Sequence, residues 1–158
     1  MRIMGVPVPL LGLGAHDLVV LRQHPERDFR ASEEQFHSRT LLNIVQGNPP
    51  IHCFQAWEFT SRKADIAAFH KVLGRIHRQV GSAKMVDHQF LPGPGLYDAG
   101  RFFVQQSTFS DGTQIYVNLG LDPYRDQNVR LPAYGFEARL AGGEVLKGSV
   151  ESRLQLTP

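Results

Sequence analysis

The chain has 158 residues, 42% of them hydrophobic and 20% charged, with a formal net charge of +2. Its 17 basic and 15 acidic residues are spread without blocks, which excludes the footprint of a polyanion binder, and no nucleic-acid partner is expected. The lone Cys53 excludes an internal disulfide framework and a thiolate zinc cluster, and a chain this long buries roughly 70% of its unfolded surface without such staples.

The longest uncharged apolar stretch, Ile3 to Ala15, is too short and too broken by Gly and Pro to span a bilayer, so no membrane partner is expected. No small-residue cleavage site follows it, which reads as a folded segment rather than a signal peptide. Within it, Val6 to Leu13 has the character of a strand buried on both faces, although Pro7 and Pro9 each remove a ladder donor. His16-Asp17 stands at the end of that run, Leu18 to Leu21 is a second β-branched piece, and Arg22 to Arg30 reads as a loop.

Ser32-Glu33-Glu34-Gln35 is a capping box and predicts a helix carrying Phe36, Thr40, Leu41, Ile44 and Val45 at helical spacing. Gly47 followed by Pro49-Pro50 ends it. Ile51-His52-Cys53-Phe54 reads as another buried strand, ending at Gln55-Ala56-Trp57-Glu58. Thr60 or Ser61 then caps a longer helix whose stripe is Ile66, Phe69, Leu73, Ile76 and Val80, with Gly81 as its stop.

Beyond Gly81 the texture changes. Met85 to Leu91 reads as a strand, and Pro92-Gly93-Pro94-Gly95 is the sharpest break in the chain. Phe102–Phe109 and Gln114–Leu119 flank Ser110-Asp111-Gly112-Thr113, a strong hairpin signal, and Gly142-Gly143 predicts a second hairpin between Tyr134–Leu140 and Glu144–Leu156. The expected organisation is an α/β part over residues 1–84 and a small all-β antiparallel part over 85–158.

Taken in order, His16 to Val20, Leu41-Leu42-Asn43 leading into Gly47-Asn48-Pro49-Pro50, Met85 to Leu91, Phe109 to Thr113, Tyr116 to Gly120 and Leu131 to Phe136 form a familiar series. Together they resemble the carboxyl-terminal end of a group of bacterial glycoside hydrolases in which a (β/α)8 barrel is followed by a compact β-sandwich. The resemblance runs from about Val8 to Phe136. It implies that residues 1–84 supply the last two βα units of such a barrel and residues 85–158 the sandwich. It also implies that the pair of catalytic carboxylates lies on earlier strands that this sequence does not contain. A truncated reading frame accounts for that departure, and an exported or periplasmic parent enzyme is what the resemblance suggests.

Barrel active sites sit at the carboxyl ends of the strands. His16, Asp17, Gln55, Trp57 and Glu58 occupy those positions in this reading, and a tryptophan platform beside carboxylate and imidazole groups suits the apolar faces and hydroxyl rims of sugars. Trp57 would stack, while His16, Asp17 and Glu58 would hold hydroxyls. No catalytic residue is assigned; Glu58 is the one candidate among carboxylates, because glycoside hydrolysis needs a pair at a set separation. The bland alternatives are Asp17 as a turn cap and Trp57 as a rim-sealing core residue.

His70 and His77, seven apart, are expected to be solvated, and Asp87-His88 to make a structural polar contact. Asp122 and Asp126 lack the calcium-loop spacing, and no metal or cofactor is expected. The function expected is a non-catalytic carboxyl-terminal piece of a glycoside hydrolase with a carbohydrate substrate. The alternatives are a stand-alone carbohydrate-binding module and, more remotely, a small metal-dependent enzyme using the histidines.

Overall fold

The structure, a computed structural model, describes residues 9–18, 33–51, 56–92, 103–150 and 154–157. Three helices come first, α1 (Leu10–Ala15), α2 (Glu33–Val45) and α3 (Ala56–Val80). Eight strands follow: β1 (Met85–Phe90), β2 (Val104–Phe109), β3 (Gln114–Asn118), β4 (Tyr124–Arg125), β5 (Arg130–Leu131), β6 (Gly135–Arg139), β7 (Val145–Val150) and β8 (Leu154–Thr157). The antiparallel strands after residue 84 are the order expected from the sequence, whereas the strand–helix–strand–helix order expected before them is not found among the described residues. No parallel strand pair occurs among the described residues.

Two segments differ from the sequence reading. The second half of the expected Val6–Leu13 strand is helix, because Pro9 has no N–H to give a sheet but its carbonyl accepts from the Leu13 amide at 2.9 Å as a helix begins. Ala56-Trp57-Glu58 is not a strand end but the start of α3, which begins ahead of the expected Thr60 or Ser61 cap. The apolar stripe that reveals this helix begins only at Ile66, so periodicity does not mark its true start. The remainder of the two expected strands (residues 6–8 and 52–54), Cys53, and the Gly93-Pro94-Gly95 break lie outside the described residues.

Six strands form one antiparallel sheet in the order β1-β2-β3-β6-β7-β8, and β4 pairs with β5 as a separate ribbon inserted between β3 and β6. Both expected hairpins are present. Phe109 N–H donates to the Thr113 carbonyl at 2.9 Å around Gly112 (φ +91°), and Leu140 N–H donates to the Glu144 carbonyl at 2.8 Å around Gly143 (φ +83°). A bulge between Met85 and Asp87 inserts Val86, so that Met85 and His88 share a face although three positions separate them.

One face of the sheet receives the helices. Leu41, Ile44, Phe69, Leu73, Ile76 and Val80 join Met85, Phe109, Ile115, Val117, Phe136 and Val150 in a single buried cluster. On the opposite face the β4–β5 ribbon lays Tyr124, Val129 and Leu131 against Val104 and Tyr116 in a second, smaller cluster. Polar links tie the helices to the strand turns. Gln79 donates to Asp111 Oδ2 at 2.8 Å, and Arg75 pairs with Glu144.

Candidate functional sites

The five residues singled out for sugar contact have separate fates. His16 is buried, with Nδ1 2.8 Å from the Ala83 carbonyl and Nε2 2.9 Å from the Gln46 carbonyl. The imidazole also meets the edge of Phe109 at a centroid distance of 5.0 Å. It is a strut joining α1, the end of α2 and the α3–β1 connection, with neither nitrogen left for a hydroxyl.

Asp17 follows in the turn after α1 and is partly exposed. Trp57 stands 58% exposed in the first turn of α3. None of the His16 contacts described above is with Trp57. Glu58 lies in the same turn of α3, and Gln55 falls outside the described residues.

The other sequence candidates are structural in their surroundings. His77 is not solvated: its Nδ1 lies 2.9 Å from the Gly47 carbonyl, which joins α3 to the end of α2. His88 Nδ1 lies 2.9 Å from Ser107 Oγ, a structural polar contact of the kind expected, but made across the β1–β2 pair rather than at a domain interface. Among the described residues no three His, Cys, Asp or Glu side chains gather as metal ligands. No described helix is long and apolar enough to cross a membrane.

A concave site appears elsewhere, on the outer face of the sheet beside the ribbon. A cleft of about 730 Å³ is lined by residues 125–130 together with Glu137, Arg139 and Lys147. Glu137 is buried at its floor, accepting from Arg139 Nε at 2.6 Å and pairing with Lys147 Nζ at 2.9 Å. The Arg139 guanidinium lies 4.9 Å from the Tyr116 ring centroid and donates to the Asn128 carbonyl at 2.5 Å, so its direction is fixed from three sides.

The ribbon's short loop is held by Asp126. Its Oδ1 accepts the Asn128 and Val129 amides, each at 2.7 Å, and its Oδ2 accepts the Tyr124 hydroxyl at 3.1 Å. Burial pushes this carboxyl up, but those donors and Arg139 outweigh it and hold Asp126 below the usual carboxylate range. Burial and the neighbouring Asp126 charge push the Tyr124 phenol up to about 12.

The two tyrosines that would form a platform in a sugar-binding module are covered. Tyr116 is 4% exposed beneath Arg139, and Tyr134 packs on the core with its ring 4.3 Å from that of His37. Sequence reasoning missed the cleft because its cations, Arg125, Arg130, Arg139 and Lys147, are scattered over 23 positions and form no local run. A comparison with models of known protein families found no match to this chain, and neither did a search of curated proteins.

Proposed function

We propose that the chain is the non-catalytic carboxyl-terminal part of a glycoside hydrolase. In this reading α2 and α3 are outer helices of a barrel, and the β1–β8 region is the appended sandwich that buttresses them. The observation that carries the proposal is the location of the exposed large apolar side chains. Leu10 (73% exposed), Leu11 (70%), Leu18 (77%) and Trp57 (58%) all belong to the amino-terminal helical part, with Leu13, Ile51 and Phe59 also exposed there. Large apolar side chains concentrated in one part of a chain mark a surface that a partner or a further part of the same protein covers. In the strand region the exposed Val86, Leu121 and Val145 come from separate elements or loops.

A barrel seated on that surface would bury α1 and the first turns of α3, and the exposed indole of Trp57 would face the saccharide or the neighbouring barrel wall.

Two measurements on the purified chain test this. A dye that fluoresces on apolar surface should bind strongly, and the Leu10→Ser/Leu11→Ser/Trp57→Ser variant should lose most of that signal while keeping its circular dichroism. Aryl-glycoside substrates should show no turnover above buffer. A rate abolished by Glu58→Gln, or dye binding unchanged in the triple variant, would overturn the proposal.

A further inference from the structure

We infer that the cleft beside the β4–β5 ribbon binds a tetrahedral oxyanion carrying two negative charges, a sulfate or phosphate group. The first observation is a conflict of charge in the ribbon itself. Arg125 and Arg130 are direct cross-strand partners in a ladder of only two residue pairs, so their side chains rise from the same face. Like charges placed opposite each other destabilise a strand pair, and a ribbon this short has little ladder energy to offset that.

The ribbon keeps the arrangement because its other face is anchored. Tyr124 and Leu131, also cross-strand partners, are buried with Val129 against Val104 and Tyr116, and Asp126 ties the loop between them. The two guanidinium groups are thus presented to solvent by a fixed platform. Both arginines are exposed, and neither has a carboxylate partner among the described residues.

The second observation is the balance of charge around the cleft. Arg125, Arg130, Arg139 and Lys147 line it as cations, against the carboxylates of Asp126 and Glu137. Asp126 is occupied by the loop amides and Glu137 by Arg139 and Lys147, so neither is free to neutralise the ribbon arginines. The residual charge is two positive, which a doubly charged oxyanion matches and a single carboxylate does not. Arginine's planar fork suits tetrahedral oxygens, and Arg139 is already oriented by Tyr116, Glu137 and the Asn128 carbonyl. The same chemistry is offered by a free ion or by a phosphate monoester on a saccharide. The inference stands apart from the glycoside hydrolase reading, since a cleft on the outer face needs no barrel.

Titration calorimetry on the full chain at low ionic strength tests it, with inorganic sulfate, inorganic phosphate, an oligosaccharide carrying a phosphate monoester and its unphosphorylated counterpart as probes. The expected result is saturable binding of sulfate or phosphate that weakens at least about tenfold in Arg125→Ala/Arg130→Ala, whose exposed side chains are outside both cores. The phosphorylated oligosaccharide binding more tightly than inorganic phosphate identifies an ester as the source; equal or weaker affinity identifies the free ion. The same variant should unfold at a higher temperature than the parent chain in low salt without ligand, because the repulsion is gone. Binding by the double variant equal to that of the parent, or no binding of any anionic probe by the parent, overturns the inference.

Discussion

The two faces of the sheet are built from the same strands and do opposite things with polar groups. On the helix-covered face two histidines are turned to internal contacts. His16 is committed to two backbone carbonyls, and His88 is on Ser107. On the ribbon-covered face only part of the surface is sealed, and the remainder holds arginines and a lysine around the buried Glu137. Strand alternation makes this possible: Phe136 and Ala138 point to the helices while Glu137 and Arg139 point to the cleft. Shape complementarity therefore limits one face, whereas charge balance limits the other.

The largest effect is expected where a backbone constraint coincides with the apolar core. Gly47 ends α2 at φ +65°, and a Cβ there would stand 2.4 Å from Val80 Cγ2, a branched side chain with no room to retreat. Gly47→Ala should therefore cost about 3 kcal/mol or more in denaturant unfolding, combining left-handed strain with overpacking. The contrast is Gly112→Ala in the β2–β3 turn, where φ is +91° but a Cβ meets nothing within 4 Å; only the strain of about 1–2 kcal/mol should remain. Equal losses at the two glycines would show that the α2–α3 contact does not govern the helix-covered face.

On the cleft face the effect should be smaller, because solvent shares the charges. Glu137 is buried, yet Arg139 and Lys147 are 36% and 54% exposed at their side chains. Glu137→Gln keeps the volume and loses the charge, and should cost about 1–2 kcal/mol, the low end for charge-assisted hydrogen bonds once screening is allowed for. That loss should shrink in high salt, whereas the loss in Gly47→Ala should not. A Glu137→Gln penalty independent of salt would mean that packing, not charge, limits this face too.

Much of the fold was legible from spacing. The stripe from Ile66 to Val80, the stop at Gly47 and the Asp111-Gly112 hairpin depend on local chemistry, and each is found where the residues placed it. The start of α3 was not legible, because Trp57 and Phe59 are exposed and leave no buried stripe to read. The bulge at Val86 was invisible for a different reason: simple alternation puts Met85 with Asp87, and only the pairing partner reveals the shift. His16 was noticed as a polar residue after an apolar run, but the carbonyls that engage it are 30 and 67 positions away. The cleft assembles residues from four separate strands, which no local pattern announces.

The smallest expected effect concerns pH. Burial pushes the His88 imidazole below the ordinary histidine value of 6.5, outweighing the Asp87 charge and the Gln105 side chain, which pull it up. A group whose folded value is depressed in this way binds its proton more readily in the unfolded chain. Its contribution to stability is complete above pH 6.5 and is lost as pH falls below that value toward the lower, folded one. Stability should therefore decline gently over that interval, and His88→Gln should flatten the decline. The carboxylates act in another window: Asp111, where burial is outweighed by Gln79 and Thr113, and Asp126 in the ribbon loop both titrate below the usual range. Their contributions are present above about pH 4 and disappear under more acid conditions, in His88→Gln as in the parent. Unfolding curves collected between pH 7 and pH 3 would resolve the two steps, and a first step that persists in His88→Gln would assign it to another group than the imidazole on β1.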